Sequence, residues 1–376
     1  MKQVKARKDA IVHQSSEGVE NWLRGTNNCT VYEGHARFAA PFQIRIEGEL
    51  LEAKQIFINV GARPLVPAIP GLDRVPFLTN SGMMDIDFLP EHLVIIGGSY
   101  IGLEFAQMYR RFGSRVTVLE RGAHLISRDD EDISEAIRAI LENEGVVVRT
   151  GAEITRVEER EGHPVVHLKS GDEVGGSHLL VAIGRVPNTE DLGLAEAGVT
   201  VDERGYIKVD DQLRTNVPGI WALGDCNGQG AFTHTSYNDY EIVAANLLDN
   251  DPRRVSDRIL TYGLFIDPPL GRAGITEREA RQSGRKTLIG RMPMTRVGRA
   301  RERGETQGFM KVLVDAESKQ ILGAALLGVG CDEVIHLILA AMYAKAPYTV
   351  IQRAMFIHPT VAELIPTLLG SLKPLE

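Results

Sequence analysis

A glycine pattern followed by an acidic residue is the segment with the clearest chemical meaning. Gly97, Ser99 and Gly102 occupy the three positions of GxGxxG within the stretch LVIIGGSYIGLE. In this pattern the first glycine turns the chain out of a strand, the second admits a diphosphate, and the third lets a helix pack closely. With an apolar run before it and Glu120 closing the next predicted strand, the segment predicts a dinucleotide-binding site.

Two residues indicate which nucleotide binds there. Ser99 replaces the middle glycine, so its Cβ narrows the approach to the diphosphate while its hydroxyl can donate to a phosphate. A carboxylate at Glu120 accepts hydrogen bonds from ribose hydroxyls and repels a 2′-phosphate, which favours NADH over NADPH. The neighbouring Arg121 keeps that preference moderate.

Two further positions carry groups that could do chemistry. The stretch TNVPGIWALGD ends in Gly224 and Asp225, which places a carboxylate at the carboxyl end of a predicted strand, where open α/β sheets bind ligands. Such a Gly-Asp pair is more commonly only a turn. His358 precedes a proline and is therefore biased away from helical geometry. Its ring can exchange protons with a thiol near neutral pH, and Glu363 is close enough in sequence to orient it.

The elements that position these residues follow from periodicity. From residue 93 the chain alternates strand, helix and strand, which predicts a parallel sheet. Ile133, Ile137, Ile140 and Leu141 form one apolar stripe on a helix that packs against this sheet. The segments FINVGARP and VAIGRVP repeat one pattern, which favours two related nucleotide-binding halves without establishing them. Beyond residue 252 strands mix with a long apolar helix, which predicts a separate α+β domain.

Composition excludes several classes of partner. The net charge of −8 argues against nucleic acid and anionic membranes, since both require a basic surface. No apolar run is long enough to cross a bilayer, and the first residues lack a signal peptide, so we expect a cytoplasmic protein. The three cysteines lie far apart and suggest neither a disulfide framework nor a metal site.

The chain resembles the class I pyridine nucleotide-disulfide oxidoreductases, which include lipoamide dehydrogenase, glutathione reductase and mercuric reductase. The matching stretches occur in family order: INVGARPLVPAIPG, LVIIGGSYIGLE, VAIGRVPNT, TNVPGIWALGD, FTHTSYNDY, IDPPLGRAGITEREA and FIHPTVAEL. The amino-acid sequence around residues 232–240 and in the C-terminal region is most similar to a mercuric-reductase-like branch that includes hypothiocyanous acid reductases.

This resemblance implies a fold and a division into domains. We expect an α/β protein in which a doubly wound, Rossmann-like NAD domain is inserted in a partial FAD domain and followed by an α+β dimerisation domain. The expected ranges are 1–88 for the partial FAD domain, 89–212 for the NAD(P) domain, 213–255 for the return of the FAD domain, and 256–376 for dimerisation.

The resemblance also implies roles for individual residues. Those expected to serve FAD are Gly61, Gly224, Asp225, Phe232, Thr233, His234 and Thr235, with the last four opening a helix toward the flavin. Those expected to hold the nicotinamide cofactor are Gly97, Ser99, Ile101, Gly102, Glu120 and Gly184, with Glu104 near the place where nicotinamide stacks on flavin. His358 and Glu363 would act at the flavin of the partner subunit in a homodimer, on a disulfide or small-molecule acceptor.

Two family features are missing from the printed sequence, namely a first GxGxxG for FAD and a CxxxxC pair. We therefore expect an N-terminally shortened reductase with weak or no FAD retention and little disulfide reductase activity. Two alternatives stay open. One is a noncatalytic dimeric module that binds nicotinamide nucleotide, and the other is an NADH oxidase or diaphorase that uses no protein disulfide.

Overall fold

The computed structural model describes residues 1–376, which divide into two units of two stretches each. The first unit comprises Met1–Leu65 and Gly184–Arg258, and the second comprises Val66–Ile183 and Ile259–Glu376. The four domain ranges expected from the sequence are a finer division, and they stay a prediction. No helix is long and apolar enough to cross a membrane.

The α-helices are α1 (Lys2–Gly25), α2 (Asn80–Asp85), α3 (Tyr100–Phe112), α4 (Glu131–Asn143), α5 (Thr233–Ala244), α6 (Glu277–Gln282), α7 (Gly298–Arg303), α8 (Cys331–Tyr343), α9 (Thr349–Gln352) and α10 (Ile365–Leu369). The strands are β1 (Arg37–Ala40), β2 (Gln43–Ile46), β3 (Glu49–Glu52), β4 (Ile56–Ile58), β5 (Ala62–Pro64), β6 (His92–Ile96), β7 (Arg115–Leu119), β8 (Val147–Arg149), β9 (Ile154–Arg160), β10 (His163–Leu168), β11 (Glu173–Gly175), β12 (His178–Val181), β13 (Arg185–Pro187), β14 (Ile220–Ala222), β15 (Thr261–Leu264), β16 (Leu270–Gly274), β17 (Thr287–Pro293), β18 (Phe309–Asp315), β19 (Ile321–Leu327) and β20 (Lys373–Pro374).

The first unit is built from small sheets and two long helices. The strands β1, β2 and β3 form an antiparallel sheet, β4 runs parallel to β14, and β5 runs antiparallel to β13. The last pair joins the two repeated segments noted in the sequence, with Val186 opposite Arg63. The repeat therefore marks two chain segments that are hydrogen-bonded to each other.

The second unit contains the predicted parallel sheet, in the order β12-β6-β7-β8. Strands β6, β7 and β12 are largely buried, which accounts for their near-continuous apolar sequence. The stripe predicted on α4 is buried: Ile133, Ile137 and Leu141 are 0% exposed. An antiparallel sheet of β9, β10 and β11 follows.

The C-terminal stretch of the second unit has the predicted α+β architecture. Six strands form a sheet in the order β15-β16-β19-β18-β17-β20, and α8 packs on it. Its core consists of residues such as Met310, Leu326 and Ile338, all with 0% exposure. This sheet supplies several of the residues that bear on the candidate site.

Candidate functional site

The turn after β6 requires glycine at two of its three pattern positions. Gly97 has a φ of +116°, and a Cβ there would lie 2.3 Å from the carbonyl oxygen of Ala182. A Cβ on Gly102 would lie 2.1 Å from the carbonyl oxygen of Gly97. Only glycine therefore fits at these two positions, because neighbouring backbone atoms lie too close for a Cβ, as the sequence pattern predicts.

Ser99 is tolerated at the middle position because its backbone is extended there. Its φ is −114° and ψ is −172°, a conformation open to any L-residue, and the side chain is exposed. Ser99 is the N-cap of α3, and no side chain caps this helix end. The first amides of α3, up to Ile101 and Gly102, thus form the positive helix end that suits a diphosphate.

Glu120 lies next to this turn, directly after β7. Its Oε2 accepts a hydrogen bond of 2.7 Å from the backbone N–H of Gly98, and its Oε1 accepts one of 2.6 Å from Gly122. The carboxylate is half-buried and is fixed at the carboxyl end of the parallel sheet. Each of its oxygens keeps a further lone pair for a ribose hydroxyl.

Glu104 lies on α3 two residues beyond Gly102 and is half-buried rather than simply exposed. Its Oε1 accepts a 2.9 Å hydrogen bond from the backbone N–H of Phe265. Burial raises the pKa of the Glu104 carboxyl, and the Phe265 hydrogen bond lowers it by less. A segment of the C-terminal stretch therefore positions this side chain.

The residues expected to serve FAD lie in the first unit. Gly61 and Gly224 both have φ of +69°; Gly61 lies directly before β5, and Gly224 lies two residues after β14. A Cβ at Gly61 would meet nothing within 4 Å, whereas at Gly224 it would lie 2.5 Å from the Asn59 side-chain oxygen. Backbone conformation fixes glycine at both positions, and side-chain crowding adds to this at Gly224.

Asp225 follows Gly224 and is paired with a residue that the sequence analysis did not single out. Its Oδ2 lies 3.2 Å from Nη2 of Arg185, which also donates to the carbonyl oxygen of Ala62 at 2.5 Å. The Nε of Arg185 is buried and has no partner. The only sequence signal for Arg185 was the repeated Gly-Arg-Pro pattern in which it stands.

Asp239 on α5 is a second residue that sequence analysis missed. It is fully buried and accepts hydrogen bonds from the backbone N–H of Gly224 at 2.8 Å and from the Asn227 side chain at 2.9 Å. Arg258 donates to its other oxygen. Asp239 thus fixes the turn that presents Asp225, and nothing in its local sequence distinguishes it from a surface aspartate.

Helix α5 begins as predicted, with Phe232 as its N-cap and Thr233 as its first residue. No side chain caps this helix end, and Phe232 stacks on His234 with ring centroids 5.2 Å apart. Thr235 is buried. The positive end of α5 therefore lies in the same unit as Asp225 and Gly61.

His358 and Glu363 are brought together near the C-terminus. The Nδ1 of His358 lies 2.8 Å from Oε2 of Glu363. The histidine side chain is 79% exposed, whereas that of the glutamate is 13% exposed. Glu363 therefore orients the ring, and Nε2 is left accessible for proton exchange.

The candidate residues divide between the two units. In the second unit lie Gly97, Ser99, Ile101, Gly102, Glu104, Glu120, His358 and Glu363; in the first lie Gly61, Gly184, Gly224, Asp225, Phe232, Thr233, His234 and Thr235. Gly184, expected with the nicotinamide group, is the first residue of the return to the first unit and has a φ of +142°.

Three carboxylates form an acidic group that is already neutralised. Asp130, Asp132 and Glu277 lie within reach of one another, but Nζ of the buried Lys311 lies 2.7, 2.8 and 3.2 Å from their oxygens. Arg291 pairs with two of them as well. This group is an ion-pair network between α4 and the C-terminal sheet.

Comparison with known proteins identifies the class. A family model described as pyridine nucleotide-disulphide oxidoreductase matches residues 1–239, and a model of the dimerisation domain of the same family matches residues 261–369. The chain belongs to the pyridine nucleotide-disulphide oxidoreductases, a family of FAD-dependent enzymes. The fold class and the resemblance stated from the sequence are thereby confirmed.

Individual relatives agree with this assignment. The chain is 38% identical over 374 residues to the probable pyridine nucleotide-disulfide oxidoreductase RclA of Escherichia coli strain K12, covering 96% of the chain and 85% of that protein. It is 31% identical over 369 residues to dihydrolipoyl dehydrogenase of Thermus scotoductus, covering 96% and 79%. The solved structure of the HOCl-induced flavoprotein disulfide reductase RclA from Escherichia coli gives a TM-score of 0.94 at 36% identity, covering 98% of this chain and 85% of that one.

Proposed function

We propose that this oxidoreductase binds NADH at the Gly97 turn, with the diphosphate against the N-terminus of α3 and the adenosine ribose against Glu120. The observation that carries the proposal is the position of the Glu120 carboxylate, held by two backbone amides beside a turn that admits no Cβ at Gly97 or Gly102. Hydrogen bonds to ribose hydroxyls use the remaining lone pairs of this carboxylate.

NADH is preferred over NADPH for an electrostatic reason. A 2′-phosphate would meet the Glu120 carboxylate, which the Gly98 and Gly122 amides hold in place and which cannot swing away without losing both hydrogen bonds. Arg121 is exposed beside it and reduces the discrimination. We therefore assign the selectivity to Glu120, with Arg121 as a moderating charge.

The turn at Asp225 is the proposed FAD-binding region. The residues present fit FAD. There is free space beside Gly61, where an added Cβ would meet no atom within 4 Å, and Asp225 offers an acceptor for ribityl hydroxyls. The N-terminus of α5 has no side-chain cap and suits an anionic ring. Arg185 on β13 pairs with Asp225, and its buried Nε is a donor without a partner. When bound, FAD supplies the two-electron acceptor for the hydride of NADH.

The remaining candidate residues, His358, Glu363 and Glu104, are proposed to transfer protons and to position the nucleotide. Glu363 holds the His358 ring so that its exposed Nε2 can give or take a proton at a disulfide or small-molecule acceptor, in the active site of a homodimer. Glu104 lies two residues beyond Gly102, and we propose that it stands at the nicotinamide end of the nucleotide. Unpaired cysteines support a cytoplasmic location.

Rapid mixing of the protein with NADH in the presence of added FAD tests this function. We expect saturable bleaching of the flavin absorbance, with faster transfer from NADH than from NADPH. A Glu120→Gln variant should lose much of that preference, whereas Glu203→Gln, at an exposed turn, should behave as wild type. Nucleotide binding without flavin reduction would support a noncatalytic module instead.

A second assay separates the possible acceptors. Turnover of a dye but of no disulfide substrate would favour the diaphorase interpretation. Reduction of a disulfide, lost in His358→Gln, would favour a disulfide reductase. Absence of any flavin reduction at saturating NADH would contradict the proposed function.

A further inference from the structure

A buried carboxylate, Asp129, joins the glycine-loop helix to the C-terminal sheet. Its Oδ2 accepts hydrogen bonds from the hydroxyls of Tyr100 at 3.3 Å and Tyr262 at 3.0 Å, and its Oδ1 lies 3.2 Å from Nε of Arg272. The side chain of Asp129 is 1% exposed and that of Arg272 is 2% exposed. Tyr100 stands at a variable position of the glycine pattern, and none of the four residues belongs to the ion network around Lys311.

The partners of Asp129 come from separate parts of the second unit. Tyr100 is the first residue of α3 and follows the N-cap Ser99 directly. Tyr262 lies on β15 and Arg272 on β16, and Nη1 of Arg272 also donates to the carbonyl oxygen of Ala324 on β19 at 2.8 Å. Asp129 therefore connects the start of the anion-binding helix to three strands of the C-terminal sheet.

The segment that carries Asp129 folds back on the glycine turn. The backbone N–H of Ile126 donates to the carbonyl oxygen of Gly98 at 2.9 Å, and that of Asp129 donates to Ile126 at 2.8 Å. Ile126 has a φ of +40°, which is unfavourable for a β-branched residue. Residues held in such a conformation cluster at ligand clamps and functional sites, where the surrounding structure maintains them.

The energetics make this connection sensitive to each partner. Burial of a carboxylate lowers stability unless the charge is neutralised and hydrogen-bonded. At Asp129 the Arg272 guanidinium supplies the opposite charge, and two tyrosine hydroxyls supply hydrogen bonds. Tyr100 and Tyr262 share a single oxygen and pack edge to face with ring centroids 5.4 Å apart. Substitution of either tyrosine therefore alters the hydrogen bond that the other makes with Asp129.

We propose that Asp129 is a positioning residue for the nicotinamide nucleotide. It holds Tyr100, and with it the first turn of α3, at a fixed place relative to the Gly97 turn, so that nucleotide affinity depends on the C-terminal sheet. The proposal rests on the proposed NADH site, and it adds that residues of β15 and β16 contribute to nucleotide affinity.

Equilibrium titration with NADH tests this on the full chain. Tyr100→Phe and Tyr262→Phe should each raise the Kd for NADH about threefold to tenfold, the effect expected when one buried hydrogen bond is lost. Asp129→Asn also leaves the buried Arg272 without its charged partner and should raise the Kd at least as much. Tyr109→Phe is the matched control. Tyr109 lies on the same helix and is buried, but its hydroxyl donates to the carbonyl oxygen of Met83 at 3.0 Å instead.

The control separates positioning from general destabilisation. We expect Tyr109→Phe to lower the Tm while leaving the Kd within about twofold of wild type. Wild-type affinity in Tyr100→Phe and Asp129→Asn would overturn the positioning role, and wild-type affinity in Tyr262→Phe alone would overturn the dependence on the C-terminal sheet. Failure of the wild-type chain to bind NADH would instead count against the proposed function.

Discussion

Glu120, the residue that we propose recognises the ribose, also supports the turn beside it. Because its two oxygens accept hydrogen bonds from Gly98 and Gly122, the carboxylate is fixed before any nucleotide binds. Such preorganisation means that little conformational entropy is lost on binding. The residue to which we assign the proposed preference for NADH is therefore also part of the local structure of the turn.

Removing the charge of Glu120 should change selectivity more than it changes the fold. Glu120→Gln keeps one acceptor oxygen but loses the charge, so we expect the Kd for NADH to rise about tenfold, since hydrogen bonds to charged groups contribute most. The Kd for NADPH should stay the same or fall. Titration with both nucleotides measures the effect, and an unchanged ratio of the two Kd values would contradict it.

The raised pKa of Glu104 gives stability a dependence on pH. A carboxyl whose pKa is raised by folding binds more protons folded than unfolded, so its ionisation lowers stability as pH rises above its ordinary pKa of 4.5. Glu104→Gln cannot ionise. The Tm of this variant relative to wild type should therefore increase between pH 4.5 and pH 7.5.

Thermal unfolding at several pH values measures this difference. Glu203→Gln, a substitution at an exposed turn, is the control and should track wild type throughout. If the Glu104→Gln difference stayed constant or shrank as pH rose, burial would not be the dominant influence on this carboxyl.

The three cysteines should differ strongly in reactivity. Burial raises the pKa of the Cys226 thiol to about 11 and that of Cys331 to about 12, whereas Cys29 is exposed. Since the thiolate is the reactive form, a disulfide reagent at pH 7.5 should modify Cys29 rapidly, and Cys226 and Cys331 only after unfolding. A Cys29→Ser variant should lose the rapid phase. Rapid modification of a second thiol would contradict a structural role for the buried pair.

At the scale of elements, the turn after β14 depends on a residue from the next helix. Asp239 on α5 holds the Gly224 amide and the Asn227 side chain, and Arg258 neutralises it. The strand end, the helix and a residue close to the end of this unit thus form one hydrogen-bonded assembly. The position of Asp225 therefore depends on that assembly as well as on its own ion pair with Arg185.

Truncating Asp239 should therefore destabilise the first unit. Asp239→Ala leaves Arg258 without its buried partner, for which we expect a loss of about 3–5 kcal/mol in unfolding free energy. Asp191→Ala removes an exposed ion pair with Arg37 and should cost less than about 1 kcal/mol. Urea unfolding compares the two, and equal small losses would contradict the assigned role.

Local periodicity predicted the elements well, and it failed where the contacts are distant in sequence. The turn at Gly97, the helix after it and the buried stripe of α4 follow from patterns within a few residues, because backbone approach and amphipathicity are local demands. Asp129, Arg185 and Asp239 were missed because their partners lie far along the chain, as with Asp129 and Arg272. The sequence around a single polar residue does not indicate which distant residue it will pair with.

At the scale of the whole molecule, the stretch that carries the Gly97 turn and the C-terminal sheet belong to one unit. Asp129, Glu104 and the Lys311 network all connect the two. The dimerisation domain of the family covers residues 261–369, and His358 lies within it. We expect a homodimer, in which the same C-terminal stretch that presents His358 also supports the nicotinamide-binding helix.

The central claim, that NADH binds at the Gly97 turn, is tested most directly by calorimetric titration of NADH into the wild-type chain. We predict saturable binding with one nucleotide per chain and a Kd between about 1 μM and 1 mM, the range usual for such substrates. The Glu120→Gln variant should bind more weakly in the same experiment. A titration of the wild-type chain that gives no saturable heat up to millimolar NADH would contradict the account.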